Sequence, residues 1–387
     1  MNSKIKIAIL YASFGGGHKS TANSIKAVVE KNNNVEVQIL DYFEYFNKLI
    51  NTISVNFYNN LINMPENVYK IMYESSGNGK YFSHFLSDLF KLTGIKLIKY
   101  FKKFTPDIVI CTHPFATIAC SYLKKKDKFN FVLANILTDF EIHNLWFNSH
   151  KYIDYFFVSS DEMKKDLIAN DVSSKKIHIT GIPIREGFSK EYDKSHIYEK
   201  LKLNPANPTV TFFMGGGQGI APKEIYDYIN IVCEKLSNFN IILISGKNEK
   251  IYSKTKEILE DIQNPNIHLY SYLENIPEIM FISKFIISKP GGLTTSEALA
   301  SGTPMLIILP IPGQEIANIK YLEKHKAGIY LEDLNKTKSI LEEINSNPDL
   351  LNEYAINAKK ISHPHASNEI VEIILKNYKN KKAKDIY

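Results

Sequence analysis

The chain has 387 residues, 44% apolar and 23% charged, a composition that suits a soluble globular protein with room for two domains rather than one small core. Its net charge of +6 permits an anionic partner without requiring one, and its three cysteines match neither a metal-ligand spacing nor a disulfide framework. No apolar run reaches the length of a bilayer span, so work at a membrane is expected from its surface.

In chain order, "IKIAILYASFGGGHKSTANSIKAVVE" reads as a strand over Ile5 to Tyr11, a loop at Gly15-Gly16-Gly17, and a helix that carries Ala22, Ile25, Ala27 and Val28. The opening "KIKIAILYA" runs straight into that loop and is better read as a strand than as a signal peptide. The short apolar runs "VEVQIL", "DIVIC", "FVLANIL", "YFFVS" and "KIHIT" follow, alternating with helical patterns. A polar, punctuated stretch from Gly181 to Thr209 marks a boundary. The device then repeats: "TVTFFMGGGQG" is a strand over Thr209 to Phe213 and a second glycine loop, followed by "FNIILIS", "NIHLY", "KFIIS" and "PMLIIL". Continuous apolar runs alternating with helices predict parallel sheets covered on both faces. The expected architecture is therefore α/β, with two Rossmann-like doubly wound domains at 1–190 and 191–365 and a C-terminal helix and basic tail at 366–387.

Open parallel sheets bind ligands beyond the carboxyl ends of their strands. The candidates by position are His18, His113, Asp139, Gly215 to Gly219, Gly246, and the run from Pro290. Glycine lets backbone N–H groups approach a phosphate, and a following helix start adds a favourable field of about 0.3–1 kcal/mol. "SKPGGLTTSEALASGTP" has that form, and so does "MGGGQG". Thr294 and Glu297 also have the spacing of a capping box, which would make the glutamate structural. The next buried run, "PMLIIL", delivers Gln314, Glu315 and Asn318 beside that loop, the groups that ribose and sugar hydroxyls need. No Asp-x-Asp pair is present to hold a divalent ion on a diphosphate, so no metal and no cofactor are expected.

These segments together resemble glycosyltransferase family 28, and are most similar to the processive diacylglycerol glucosyltransferases of Gram-positive bacteria and the plant monogalactosyldiacylglycerol synthases. The resemblance runs through "SFGGGH" (13–18), "LTDFEIHNLWF" (137–147), "YFFVSSDEMKKDL" (155–167), "KIHITGIPIREGF" (176–188), "MGGGQG" (214–219), "ISGKN" (244–248), "SKPGGLTTSEALASGTP" (288–304) and "PIPGQEIAN" (310–318). It implies a GT-B fold with the active site between the two domains, and inverting transfer from a UDP-sugar to the hydroxyl of diacylglycerol. It implies that Gly215, Gly216, Gly217, Gly291, Gly292 and Thr294 hold the diphosphate. Glu297 would accept from the ribose, and Gln314 and Glu315 would lie near the sugar. Gly17, Gln218, Gly246, Lys247, Asn248, Pro290, Leu293 and Asn318 belong to the same implied UDP-sugar site.

UDP is already a good leaving group, so the missing help is a base for the acceptor hydroxyl. Asp139 and His18 are expected to act together there, unranked, with His143 and Trp146 shaping the pocket and His113 on the acceptor or lipid side. Residues 84–104 carry Lys91, Lys96, Lys99, Lys102 and Lys103 on one helical face and Leu86, Leu89, Phe90, Leu97, Phe101 and Phe104 on the other. Such a helix can lie on an anionic bilayer or simply pack with its lysines solvated; a lipid acceptor favours the first. The expected location is cytoplasmic, peripheral on the inner face of the cell membrane, and no nucleic-acid partner is expected. Other readings stay open: galactose instead of glucose as the donor sugar, N-acetylglucosamine transfer to a lipid-linked cell-wall precursor, a non-catalytic binding protein, and a dinucleotide enzyme using Asp41 after the second strand.

Overall fold

The structure, a computed structural model, describes residues 4–13, 16–46, 97–215, 223–311 and 313–384. It forms two compact units, one from Met1–Arg185 with His365–Tyr387, the other from Glu186–Pro364.

In the first unit the order is β1 (Ile5–Tyr11), α1 (Gly17–Val29), β2 (Val35–Asp41), α2 (Tyr42–Phe46), α3 (97–104), β3 (Ile108–Cys111), α4 (Pro114–Lys125), β4 (Val132–Ile136), α5 (Asn144–Phe147), β5 (Tyr155–Val158), α6 (Asp161–Ala169) and β6 (Ile177–Ile179). All neighbours pair in parallel, in the order β2-β1-β3-β4-β5-β6. β1 is apolar at nearly every position because both its faces are covered. Ala8 and Leu10 join Phe101, Leu133 and Phe156 on one side; Ile7 and Ile9 join Ile25, Ile110 and Phe157 on the other.

Along α3 the residues Leu97, Phe101 and Phe104 are buried while Lys99, Lys102 and Lys103 are exposed. The Phe101 ring lies 5.5 Å from Phe129 and 5.3 Å from Phe131, edge-on to both. Burying such a side chain is worth about 1.5–3 kcal/mol, which holds this apolar face in the core. For residues 97–104 the packed-helix reading is therefore the correct one, and the apolar face expected on the membrane is not available to lipid. Residues 84–96 of that expectation lie outside the described residues.

The second unit runs α7 (Lys194–Leu201), β7 (Thr209–Phe213), α8 (Ile225–Lys235), β8 (Asn240–Ile244), α9 (Glu249–Glu260), β9 (Ile267–Tyr270), α10 (Ile276–Ile282), β10 (Ser283–Ser288), α11 (Gly292–Ser301), β11 (Met305–Ile307), α12 (Gln314–Lys324), β12 (Gly328–Tyr330), α13 (Leu334–Ser346) and α14 (Asn352–Lys360). Its sheet is also parallel, in the order β12-β11-β10-β7-β8-β9. The final helix, α15 (Ala366–Lys384), returns to the first unit instead of standing apart as a tail. It buries Ile370, Ile374 and Leu375 in the core that holds Ile7 and Ile25, and the Tyr378 hydroxyl donates to Asp107.

Each sheet reverses its strand order once. In the first the switch point lies between β1 and β3; in the second it lies between β7 and β10. Helices leave to opposite faces on either side of such a point, and the carboxyl ends of the two strands border a crevice that ligands occupy.

Candidate active site

The first switch point gathers three imidazoles. His18 is the second residue of α1, His113 caps the start of α4 just after β3, and His143 precedes α5 after β4. His18 Nδ1 lies 2.6 Å from the Thr112 carbonyl oxygen and 3.2 Å from Thr138 Oγ1. The His18 and His113 rings meet edge-on at 4.6 Å. His113 Nδ1 accepts from the Phe115 N–H at 3.3 Å, so this imidazole has a capping duty besides any role toward an acceptor. Asp139 follows Thr138 directly, and its carbonyl accepts from Ser159 Oγ at 2.7 Å, tying it to the end of β5. Trp146 is a core residue, 1% exposed, at 5.9 Å from the His143 ring.

Burial pushes His18 down to about 4, opposed by its bond to Thr112, and pushes His143 to about 4 with help from His18. His113 falls well below its ordinary value through burial, then through His18 and His143. All three are thus neutral at physiological pH. In the unfolded chain they take up protons near pH 6.5, which folded His18 and His143 refuse until about 4 and His113 refuses as well. Below pH 6.5 the unfolded state therefore binds more protons, and stability falls as pH drops toward 4. Urea unfolding at pH 7 and pH 5 checks this: wild type is expected to lose more stability between them than His143→Gln does. Equal losses would contradict it.

Asp41 ends β2, where a dinucleotide enzyme would contact ribose, but its carboxylate is engaged otherwise. It accepts from the Ser13 hydroxyl, and from the Glu44 N–H at 3.3 Å.

In the second unit, Gly215 follows β7 and Pro290, Gly291 and Gly292 follow β10, side by side at the switch point. Gly291 is the N-cap of α11 and makes no side-chain cap. Thr294 therefore lies inside the helix, and the capping box that the spacing of Thr294 and Glu297 allows does not form. Glu297 is instead 6% exposed, in the second turn after the phosphate-type loop. Leu293 and Thr294 are half-buried on the first turn. Gln314 opens α12, and Glu315 Oε2 accepts from the Ile311 N–H at 2.5 Å. Glu315 Oε1 would lie 4.0 Å from a Cβ at Gly291, so this carboxylate borders the glycine turn. Asn318 is fully buried and donates to the Pro290 carbonyl at 2.7 Å, bracing the turn from behind.

Gly246, after β8, has φ +64°, and a Cβ there would sit 3.0 Å from the Gly215 carbonyl. Only glycine lets these two loops touch. Asn248 Oδ1 accepts from the Ile251 N–H at 3.1 Å, so it starts α9. Gly216, Gly217 and Gln218 lie outside the described residues. Gly17 is the first residue of α1.

Two residues escaped the sequence reading. Lys289, between β10 and the glycine turn, is half-buried; burial lowers its ammonium and Glu315 raises it. Its signal was a lysine set directly before Pro-Gly-Gly. Tyr272, just beyond β9, is 55% exposed, with Lys247 Nζ 5.7 Å from its ring centre. Sequence held no signal for it, because its exposure at the carboxyl edge of the sheet shows only in the fold. Among the described residues no group of three or more His, Cys, Asp or Glu is placed to hold a metal ion.

Residues 18–184 match the monogalactosyldiacylglycerol synthase family, and residues 210–373 match the glycosyltransferase family 28 C-terminal domain. Its C-terminal half thus carries the family 28 domain, and the two matches together span most of the chain. The first of these two matches holds His18 and Asp139, and the second holds the glycine turn and Glu297. A processive diacylglycerol beta-glucosyltransferase of Bacillus licheniformis is 29% identical to this chain over 380 residues, covering 96% of the chain and 94% of that protein. Among solved structures, MurG of Acinetobacter baumannii superposes with a TM-score of 0.65 at 14% identity, covering 96% of this chain and 99% of that one. A UDP-GlcNAc 2-epimerase of Neisseria meningitidis, bound to UDP-GlcNAc, gives 0.62 at 15% identity, covering 96% and 100%. At such identities the likeness carries the fold alone, the GT-B class.

Proposed function

We propose that this chain is an inverting glycosyltransferase that moves a hexose, glucose by preference, from a UDP-sugar to the hydroxyl of diacylglycerol at a membrane surface. The carrying observation is the second switch point: a glycine turn opens α11, with buried Glu297 in its second turn and Lys289 just ahead. That is a seat for a diphosphate with a ribose beside it. The diacylglycerol glucosyltransferase relative, aligned along nearly the whole chain, supports the choice of acceptor and sugar.

Helix-start N–H groups, loop amides and the Lys289 ammonium meet the charge of the departing diphosphate, with no dissociable metal assigned. Inversion proceeds by one displacement, with a base on the face of the sugar opposite the leaving group. We assign that base to His18 and Asp139 acting together. Gln314 and Glu315 serve the sugar hydroxyls, and Tyr272 stacks on the base of the nucleotide. Base–aromatic stacking is worth about 1–3 kcal/mol, so Tyr272→Ala is expected to weaken UDP binding by about tenfold or more. Calorimetric titration checks this, with inorganic pyrophosphate as the control that stays unchanged; equal UDP affinity would remove Tyr272 from the site.

Lys99, Lys102 and Lys103 form an exposed basic face on α3, whose apolar side is in the core. Membrane contact at this point is electrostatic, about 1 kcal/mol per basic residue near an anionic surface. Sedimentation with anionic vesicles is expected at low salt and reduced at high salt. Absence from the pellet at both would refute the membrane face. The test of the whole reading is incubation with diacylglycerol vesicles and labelled UDP-glucose. A labelled glycolipid is expected, and the length of its ladder reports processivity. UDP binding with no lipid product from any UDP-hexose would reject diacylglycerol as acceptor.

A further inference from the structure

Two loops hold the His18 imidazole in one orientation. Its Nδ1 stands 2.6 Å from the carbonyl oxygen of Thr112. A carbonyl only accepts, so Nδ1 must carry the proton and donate it. Thr138 Oγ1, at 3.2 Å from the same nitrogen, then accepts a share of that N–H. In return the Thr112 hydroxyl donates to the His18 carbonyl at 3.1 Å, so Thr112 grips residue 18 through both its ring and its backbone. Thr112 is fully buried and Thr138 is 7% exposed, which keeps water from replacing either contact. His113 closes one side of the ring at 4.6 Å and, accepting through Nδ1 from Phe115, holds its own proton on Nε2.

We propose that Thr112 and Thr138 are positioning residues that fix His18 as its Nδ1–H tautomer, so that Nε2 presents the lone pair that receives the proton of the acceptor hydroxyl. The inference rests on the reading of His18 as part of the base, and it assigns the first proton transfer to His18. As the acceptor oxygen bonds to the anomeric carbon, its proton passes to Nε2. The bond from that carbon to the diphosphate oxygen breaks, and its electron pair leaves with UDP. The imidazolium keeps its Nδ1–H on the Thr112 carbonyl, a bond that strengthens once the ring is charged. It then returns the proton to water. A main-chain carbonyl thus does what a buried carboxylate does for the histidine of a hydrolase triad. No substitution deletes that carbonyl, so the two hydroxyls are the parts open to test.

The experiment uses full-length protein labelled with ¹⁵N-histidine. Long-range proton–nitrogen correlation at neutral pH reports which ring nitrogen of His18 is protonated. The expected result is Nδ1–H in wild type, and in Thr138→Val an Nδ1–H still held by the Thr112 carbonyl but with a shifted resonance, because one of its two acceptors is gone. Loss of one such hydrogen bond predicts a kcat about tenfold lower in Thr112→Val and in Thr138→Val, with donor KM unchanged. Thr138→Ser is expected to restore both the resonance and the rate. An Nε2–H tautomer in wild type would overturn the inference, and so would wild-type kcat in both folded valine variants. If a valine variant does not fold, the wild-type spectrum still decides the tautomer. His18→Ala separates the two levels. Full turnover there removes the base reading whatever the tautomer, whereas lost turnover together with an Nε2–H wild type removes only the positioning role.

Discussion

Replacing His18 by alanine is expected to lower kcat for lipid glycosylation by about 10²–10⁴-fold, the range a general base supplies, while UDP affinity stays unchanged. The separation follows from where the residue sits. His18 belongs to the first unit, beside Thr112 and Thr138, whereas the glycine turn and Glu297 belong to the second. Asp139→Asn, one residue beyond Thr138, should lose turnover in the same way, and the double variant should lose less than the product of the two, because they act as one device. Burial already holds His18 neutral, with its ionisation near 4, so the acid limb of kcat/KM should fall well below the ordinary histidine range. Steady-state kinetics with a UDP titration of each variant decide the matter. Near-normal turnover in both single variants would remove the base from this cluster.

The second large effect is expected at Glu297. Its carboxylate is 6% exposed and stands in the second turn of α11, six residues beyond the glycine N-cap. A hydrogen bond to a charged group is worth about 1.5–3 kcal/mol, so Glu297→Ala should raise the donor KM by about 10–100-fold, with Glu297→Gln between it and wild type. kcat at saturating donor should change far less, because the ribose is held alike in ground and transition states. UDP should raise the melting temperature of both, but the alanine variant should need about 10–100-fold more UDP for the same rise. An unchanged donor KM would make Glu297 a structural residue.

Runs that are apolar at most positions were readable as buried strands. β1 and β7 occupy Ile5–Tyr11 and Thr209–Phe213, the bounds expected from sequence, because a strand covered on both faces is mostly apolar, with Lys6 and the buried Thr209 and Thr211 as the exceptions here. β12 was missed. It has three residues and opens on Gly328, where a Cβ would come within 2.8 Å of the Met305 carbonyl. So short a run shows no period, and its glycine reads as a turn. The capping box at Thr294 failed because Gly291 took the N-cap, and a glycine cap leaves no side-chain signature. A helical wheel gave both faces of residues 97–104 correctly but not their destination. That depends on Phe129 and Phe131, which sequence spacing does not bring to Phe101.

Within the candidate site the same division holds. Glycine loops and the residues after strands were legible because parallel topology puts them at one edge. Asn248 and Asn318 shared that edge yet brace a helix start and a turn. Tyr272 went unnoticed because a single side chain beside a strand end carries no pattern until the strand order is known, and Lys289 had only its place before Pro-Gly-Gly to mark it.

The most direct measurement is the anomeric configuration of the lipid product formed from UDP-glucose and diacylglycerol in the presence of EDTA, read by proton NMR. UDP-glucose is α-linked. A single displacement assisted by His18 and Asp139 predicts only β-linked glucosyldiacylglycerol, one UDP per sugar transferred, and no dependence on added metal. An α-linked product, or UDP released with glucose passed to water alone, would contradict it.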